Sequence, residues 1–154
     1  MRELKMQIKI LETNAEKNLA FELRKEVFVK EQNVPIELEL DDKDNLETTV
    51  HVGLFDNKIL VGVARILNID TDHIHIGRVA IDKNYRGRGL GKNIILGCHD
   101  IIKKLSALDV IVCELSTQIQ AENFYKKLGY ERINNEIYLD AGIEHVDMYI
   151  KLEK

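Results

Sequence analysis

Two periods of apolar residues alternate along the chain, and their order sets the expected architecture. Residues 7–11 alternate as a strand does. Thr13-Asn14-Ala15-Glu16 then has the Thr-x-x-Glu form of a capping box, and Leu19, Ala20, Leu23, Val27 and Phe28 follow at helical spacing. Pro35, the only proline, closes that region, and the acidic residues 36–47 are expected to form a solvated loop. The middle of the chain switches to strand character: residues 51–55 and 59–67 flank a turn at Asp56-Asn57-Lys58, and residues 73–81 follow. Ile94, Ile95, Cys98, Ile101, Ile102 and Leu105 mark one face of a helix. Residues 109–115 suit a strand covered on both faces, and residues 121–128 a helix ended by Gly129. Residues 137–152 predict two strands around Asp140-Ala141-Gly142-Ile143-Glu144. The order β-α-β-β-β-α-β-α-β-β gives an α+β domain with a mixed sheet, and neither repeat nor linker divides residues 1–154.

Composition narrows the class of partner. A formal net charge of −4 disfavours broad attachment to nucleic acid or an anionic membrane. The two cysteines, Cys98 and Cys113, sit in apolar patterns without metal-ligand spacing and are expected to be buried free thiols in a reducing compartment. Residues 1–12 lack the apolar region of a signal peptide, so a cytoplasmic, non-membrane protein is expected.

The chemistry concentrates in Arg86-Gly87-Arg88-Gly89-Leu90-Gly91-Lys92, between a strand and a helix. Glycines there permit unusual backbone angles and close approach, and the helix start leaves amides unpaired at the positive end of its dipole. That is a seat for phosphate, with Arg86, Arg88 and Lys92 adding charge, although a plain tight turn would also want glycine. A P-loop is excluded because Arg86 stands at its first glycine and Asn93 at its Ser/Thr position. The dinucleotide pattern fails because Lys92 occupies the third glycine position.

The turn resembles the acetyl-CoA motif of the GNAT superfamily of N-acetyltransferases, Arg/Gln-x-x-Gly-x-Gly/Ala, matched by Arg86, Gly89 and Gly91. Residues 121–130, with Phe124-Tyr125 and Gly129-Tyr130, resemble the family's second signature. Further stretches from Arg24, Glu39, Ala64, Ile76 and Asp140 are similar to the ElaA-like branch of bacterial N-acetyltransferases, so the resemblance covers essentially the whole chain. Glu144 departs from the proline of that branch, on a substrate-facing loop.

The resemblance implies the GNAT fold: a mostly antiparallel central sheet, splayed between two central strands and flanked by helices on both faces. It implies acetyl-CoA as co-substrate. Backbone at Val79, Ala80 and Ile81 would bind the pantetheine arm, and amides from Gly87 through Arg88, Gly89, Leu90 and Gly91 to Lys92 the pyrophosphate. Asn123 would contact the coenzyme from the other side, and Tyr125 would lie near the sulfur as the acid that protonates the leaving thiolate. An alkyl amine is protonated at neutral pH and needs a base before it attacks. Glu114 is the favoured base, with Glu31, His75 or an ordered water chain as alternatives.

The acceptor would be a small-molecule or protein amine, and the acidic loop could draw a cationic one. A homodimer is compatible with the family but has no specific signal here. Two other readings compete. Arg24-x-x-x-Phe28 and Asp41 with Asp44 resemble acyl-homoserine-lactone synthases, but the tryptophan of those enzymes is missing and they lack the full glycine turn. A non-catalytic acetyl-CoA-binding module is the third.

Overall fold

Thr13 starts the first helix as its sequence predicts. Its hydroxyl accepts from the Glu16 amide at 3.1 Å, and the Glu16 carboxylate accepts in return from the Thr13 amide at 3.2 Å. The computed structural model describes residues 6–154; Met1 to Lys5, the start of the stretch read for a targeting signal, lie outside the described residues. Strand β1 (Met6–Leu11) leads into α1 (Asn14–Arg24), which runs on as a π-helical segment, Lys25–Glu31. Strands β2 (Val50–Asp56), β3 (Ile59–Leu67) and β4 (His73–Ile81) follow, then α3 (Leu90–Leu105), with α2 the short helix Ile36–Glu39 before them. Strand β5 (Val110–Gln118), α4 (Glu122–Lys127), and β6 (Glu131–Arg132), β7 (Tyr138–Asp140) and β8 (Ile143–Glu153) complete the chain.

The sheet order is β1-β2-β3-β4-β5-β8-β6, with β7 paired to β8. Among the described residues only β4 and β5 run parallel; the other pairings are antiparallel. Strand periodicity sends alternate side chains to opposite faces, and each face carries helix. Ile94, Ile95, Cys98 and Ile102 of α3 pack with Val52, Leu54 and Ile74, while Ala20, Leu23 and Val27 of the first helical region pack with Phe55, Val63 and Ala80. Each fully buried Ile or Leu among them contributes about 1.5–3 kcal/mol. No helix among the described residues is long and apolar enough to cross a membrane.

Two expectations need correction. The stretch 36–47 is not a solvated loop: it folds into α2 and a 3-10 turn (Asp42–Asn45), and Glu39 and Asp44 are buried at 3% and 7% exposure. Nor is β5 covered on both faces. Ile111, Cys113, Leu115 and Thr117 are buried, whereas Val110 on the opposite face is 53% exposed. The apolar run there hid an alternation whose open face carries Glu114 and Ser116.

Candidate active site

Parallel pairing of β4 with β5 covers only His73 to His75 against Val112 to Glu114. Past His75 the two strands part, and the β5-facing backbone beyond it has no strand partner. A cavity of about 780 Å³ fills the splay. His75 and Val79 line it from β4, Glu114 from β5 and Tyr125 from α4. Phe28 and Gln32 from the π-helical segment and its end, and His145 from β8, add to the lining. Gln118 donates to Gln32 at 3.0 Å, bridging the end of β5 to that segment.

The glycine turn lies at the far end of β4. Gly87 and Gly89 have φ of 78° and 75°, and Gly89 is the N-cap of α3. A left-handed angle favours glycine at both positions. A Cβ placed on either would meet nothing within 4 Å, so open ground lies before the unpaired amides of the helix start. The backbone of Gly87 to Lys92 can therefore receive an anion such as pyrophosphate. A Cβ on Gly91 would lie 3.4 Å from Phe124 Cζ, so the turn packs directly against α4, which carries exposed Asn123 and buried Tyr125. This contact joins the two signatures physically.

The basic residues of the turn have separate duties. Arg86 donates from Nε to the Ile81 carbonyl at 3.0 Å and from Nη2 to Glu31 at 2.6 Å, fixing the turn to β4 and to the π-helical segment. Its engagement takes up the Ile81 carbonyl and the Glu31 carboxylate together. Arg88 lies 5.1 Å over the Tyr85 ring, while Lys92 is exposed.

Tyr125 is 9% exposed and meets Tyr130 edge-on at 5.7 Å. Burial pushes its hydroxyl up to about 12, so it keeps its proton at neutral pH. Behind it, Tyr130 Oη lies 2.7 Å from His99 Nε2 and 3.6 Å from Cys113 Sγ. Burial, helped by Lys103, depresses His99 to about 4, and burial raises Cys113 to about 11. Cys98 and Cys113 are buried and free, as expected.

Sequence reasoning missed an ionic frame on the cavity wall. Arg24 Nε meets Glu39 at 2.8 Å and Arg24 Nη1 meets Asp44 at 2.7 Å; Arg65 Nη1 meets Asp41 at 2.8 Å and Asp44 at 3.0 Å. Arg78 reaches the Leu38 carbonyl at 3.0 Å and both Asp41 and Glu39 at 3.3 Å. Burial pushes Asp44 up, but Arg24 and Arg65, with the Asp41 amide, outweigh it and hold the carboxyl at about 2. Arg78 has φ 51°, in the stretch where β3–β4 register slips between Val63↔Ala80 and Arg65↔Gly77. That bulge bends β4 where the splay begins, and the ionic network grips it. A signal was present: Arg65 and Arg78 each interrupt an apolar strand, and charges in such positions are paired when buried.

Residues 11–152 match the acetyltransferase (GNAT) domain family. The uncharacterized N-acetyltransferase YjcF of Bacillus subtilis (strain 168) is 36% identical over 129 residues, covering 84% of this chain and 88% of YjcF. Escherichia coli ElaA superposes with a TM-score of 0.82 at 26% identity, over 96% of this chain and 99% of ElaA. An aminoglycoside 6'-N-acetyltransferase complexed with coenzyme A shares the fold at a TM-score of 0.71 and 12% identity, over 96% of this chain and 98% of that one. The splayed sheet, the glycine turn and these likenesses agree, and the chain belongs to the GNAT N-acetyltransferases.

Proposed function

We propose that the protein transfers acetyl from acetyl-CoA to a primary amine by direct attack within a ternary complex. The observation that carries this is a shared helix: the unpaired edge of β4 and Tyr125 of α4 line one cavity, and the open glycine cradle packs through Gly91 against Phe124 of that same α4. The cradle amides receive the pyrophosphate, and the free backbone at Val79 runs beside the pantetheine arm, while Ala80 is paired with Val63 of β3. Ile81 contributes its amide, since its carbonyl is already held by Arg86. Asn123 meets the coenzyme from α4.

The amine nitrogen must lose two protons in becoming an amide. One leaves before attack; the other leaves as the tetrahedral adduct collapses and the C–S bond breaks. Tyr125, protonated at neutral pH, gives its hydroxyl proton to the leaving thiolate and recovers one from the nitrogen. Glu114, on the open face of β5, meets the arriving ammonium electrostatically.

An assay of thiol release across a panel of primary amines tests the reading, preceded by a thermal shift with acetyl-CoA, which stabilises the fold if it binds. The expected result is a raised melting point and turnover of at least one amine. Tyr125→Phe should lower kcat by roughly 10²-fold with acetyl-CoA affinity retained. No shift at saturating acetyl-CoA overturns the donor assignment, and full turnover by Tyr125→Phe overturns the acid.

A further inference from the structure

We infer that His75 is the general base of this site, accepting the first proton from the acceptor ammonium. The inference rests on the acetyl-transfer reading above. The chain has five histidines, all within the described residues. Four have a partner on a ring nitrogen: His51 with the Asp44 carbonyl, His73 with Asp72, His99 with Tyr130 and His145 with the Ile143 carbonyl. His75 alone has none among the described residues, although it is half-buried on the cavity wall. Its ring nitrogens are not sealed in the protein but open onto the cavity, where they are free to meet a substrate proton.

Its position is also the productive one. His75 is the last residue of β4 that pairs with β5, so its ring stands at the vertex of the splay. Two residues on, the same strand face carries Gly77, and a Cβ there would lie 3.8 Å from His75 Nε2. The ring therefore leans along β4 toward the free backbone at Val79, the side from which the thioester enters, and glycine leaves that path clear.

The surroundings keep the ring able to accept. Burial lowers its pKa below the usual 6.5; Asp147 of β8 works the other way, and Lys43, Arg65 and Arg78 reinforce the lowering. Its register partner Glu114 stands across on β5. A neutral imidazole takes the ammonium proton and leaves a free lone pair on nitrogen. That nitrogen bonds the acetyl carbon, and the C–S bond then breaks. Imidazolium releases its proton to solvent through the open cavity mouth, so each turnover yields amide, thiol and one proton.

The test compares wild type with His75→Gln, His75→Asn and Glu114→Gln, on the best alkylamine of the panel and its β,β,β-trifluorinated analogue, which is largely neutral at pH 7. Acetyl-CoA binding by calorimetry verifies that each variant is folded and holds the donor. Both His75 variants should lose roughly 10²–10³-fold in kcat/KM for the alkylamine at pH 7. The loss should shrink as pH rises toward the pKa of the amine, and should nearly vanish with the fluorinated analogue. If the His75 variants match wild type on both amines, or Glu114→Gln alone shows this amine-dependent loss, the base is not His75 while acetyl transfer stands. If wild type acetylates no amine, the parent reading falls and takes this one with it.

Discussion

The glycine turn and the ionic frame of the cavity are built by opposite strategies. The first is a contiguous turn: Gly87 and Gly89 in left-handed geometry, then the start of α3. The second is framed by Arg24, Arg65 and Arg78 reaching Glu39, Asp41 and Asp44 across four separate parts of the chain. A contiguous site depends on backbone angles, so small local changes damage function before stability. A dispersed ionic frame depends on every partner being present, so removing one threatens the fold.

The largest expected effect follows from that contrast. Arg24→Ala would leave Glu39 and Asp44 buried without their principal cation, and should destabilise the protein by about 3–5 kcal/mol in urea unfolding. A loss under about 1 kcal/mol would mean the frame is no more coherent than a surface ion pair. Next comes pH. His99 is neutral when folded, with its pKa at about 4 against 6.5 for the free side chain. Between those values the unfolded chain binds the extra proton, so stability is full above about pH 6.5 and falls by about 3 kcal/mol as pH approaches 4. His99→Gln should flatten that limb; an unchanged acid profile would assign it to other groups. The smallest effect belongs to the glycine turn. Gly89→Ala meets no steric neighbour, so only its φ of 75° is strained, at about 1–2 kcal/mol. The melting point should drop little, while acetyl-CoA affinity should fall roughly tenfold as the cradle distorts. Unchanged affinity would remove Gly89 from the donor seat.

This asymmetry also decides what could be read from sequence. The glycine turn, the capping box at Thr13 and the left-handed Gly129 at the end of α4 are local, and each is found where its residues predict. The strand character of β2 and β3 was legible for the same reason, and both are buried along nearly their whole length. The acidic stretch was misread because exposure is not a property of the stretch itself: Arg24 sits on the preceding helix, and Arg65 and Arg78 come from two later strands. In β5 the one-sided covering depends on β4 parting from it, which no run of apolar residues reveals. The partnerless ring of His75 is visible only once the other four histidines have found their partners.

The ionic frame restricts how this enzyme could be retuned toward another acceptor. Along residues 36–47, Glu39, Asp41 and Asp44 hold both the loop and the β4 bulge, so changing them trades away the fold. Leu38 and Lys43 also line the cavity but are exposed, Leu38 at 55%. A library directed at a new amine would do well to vary those two and leave the acids untouched, since only the acids carry the ionic frame.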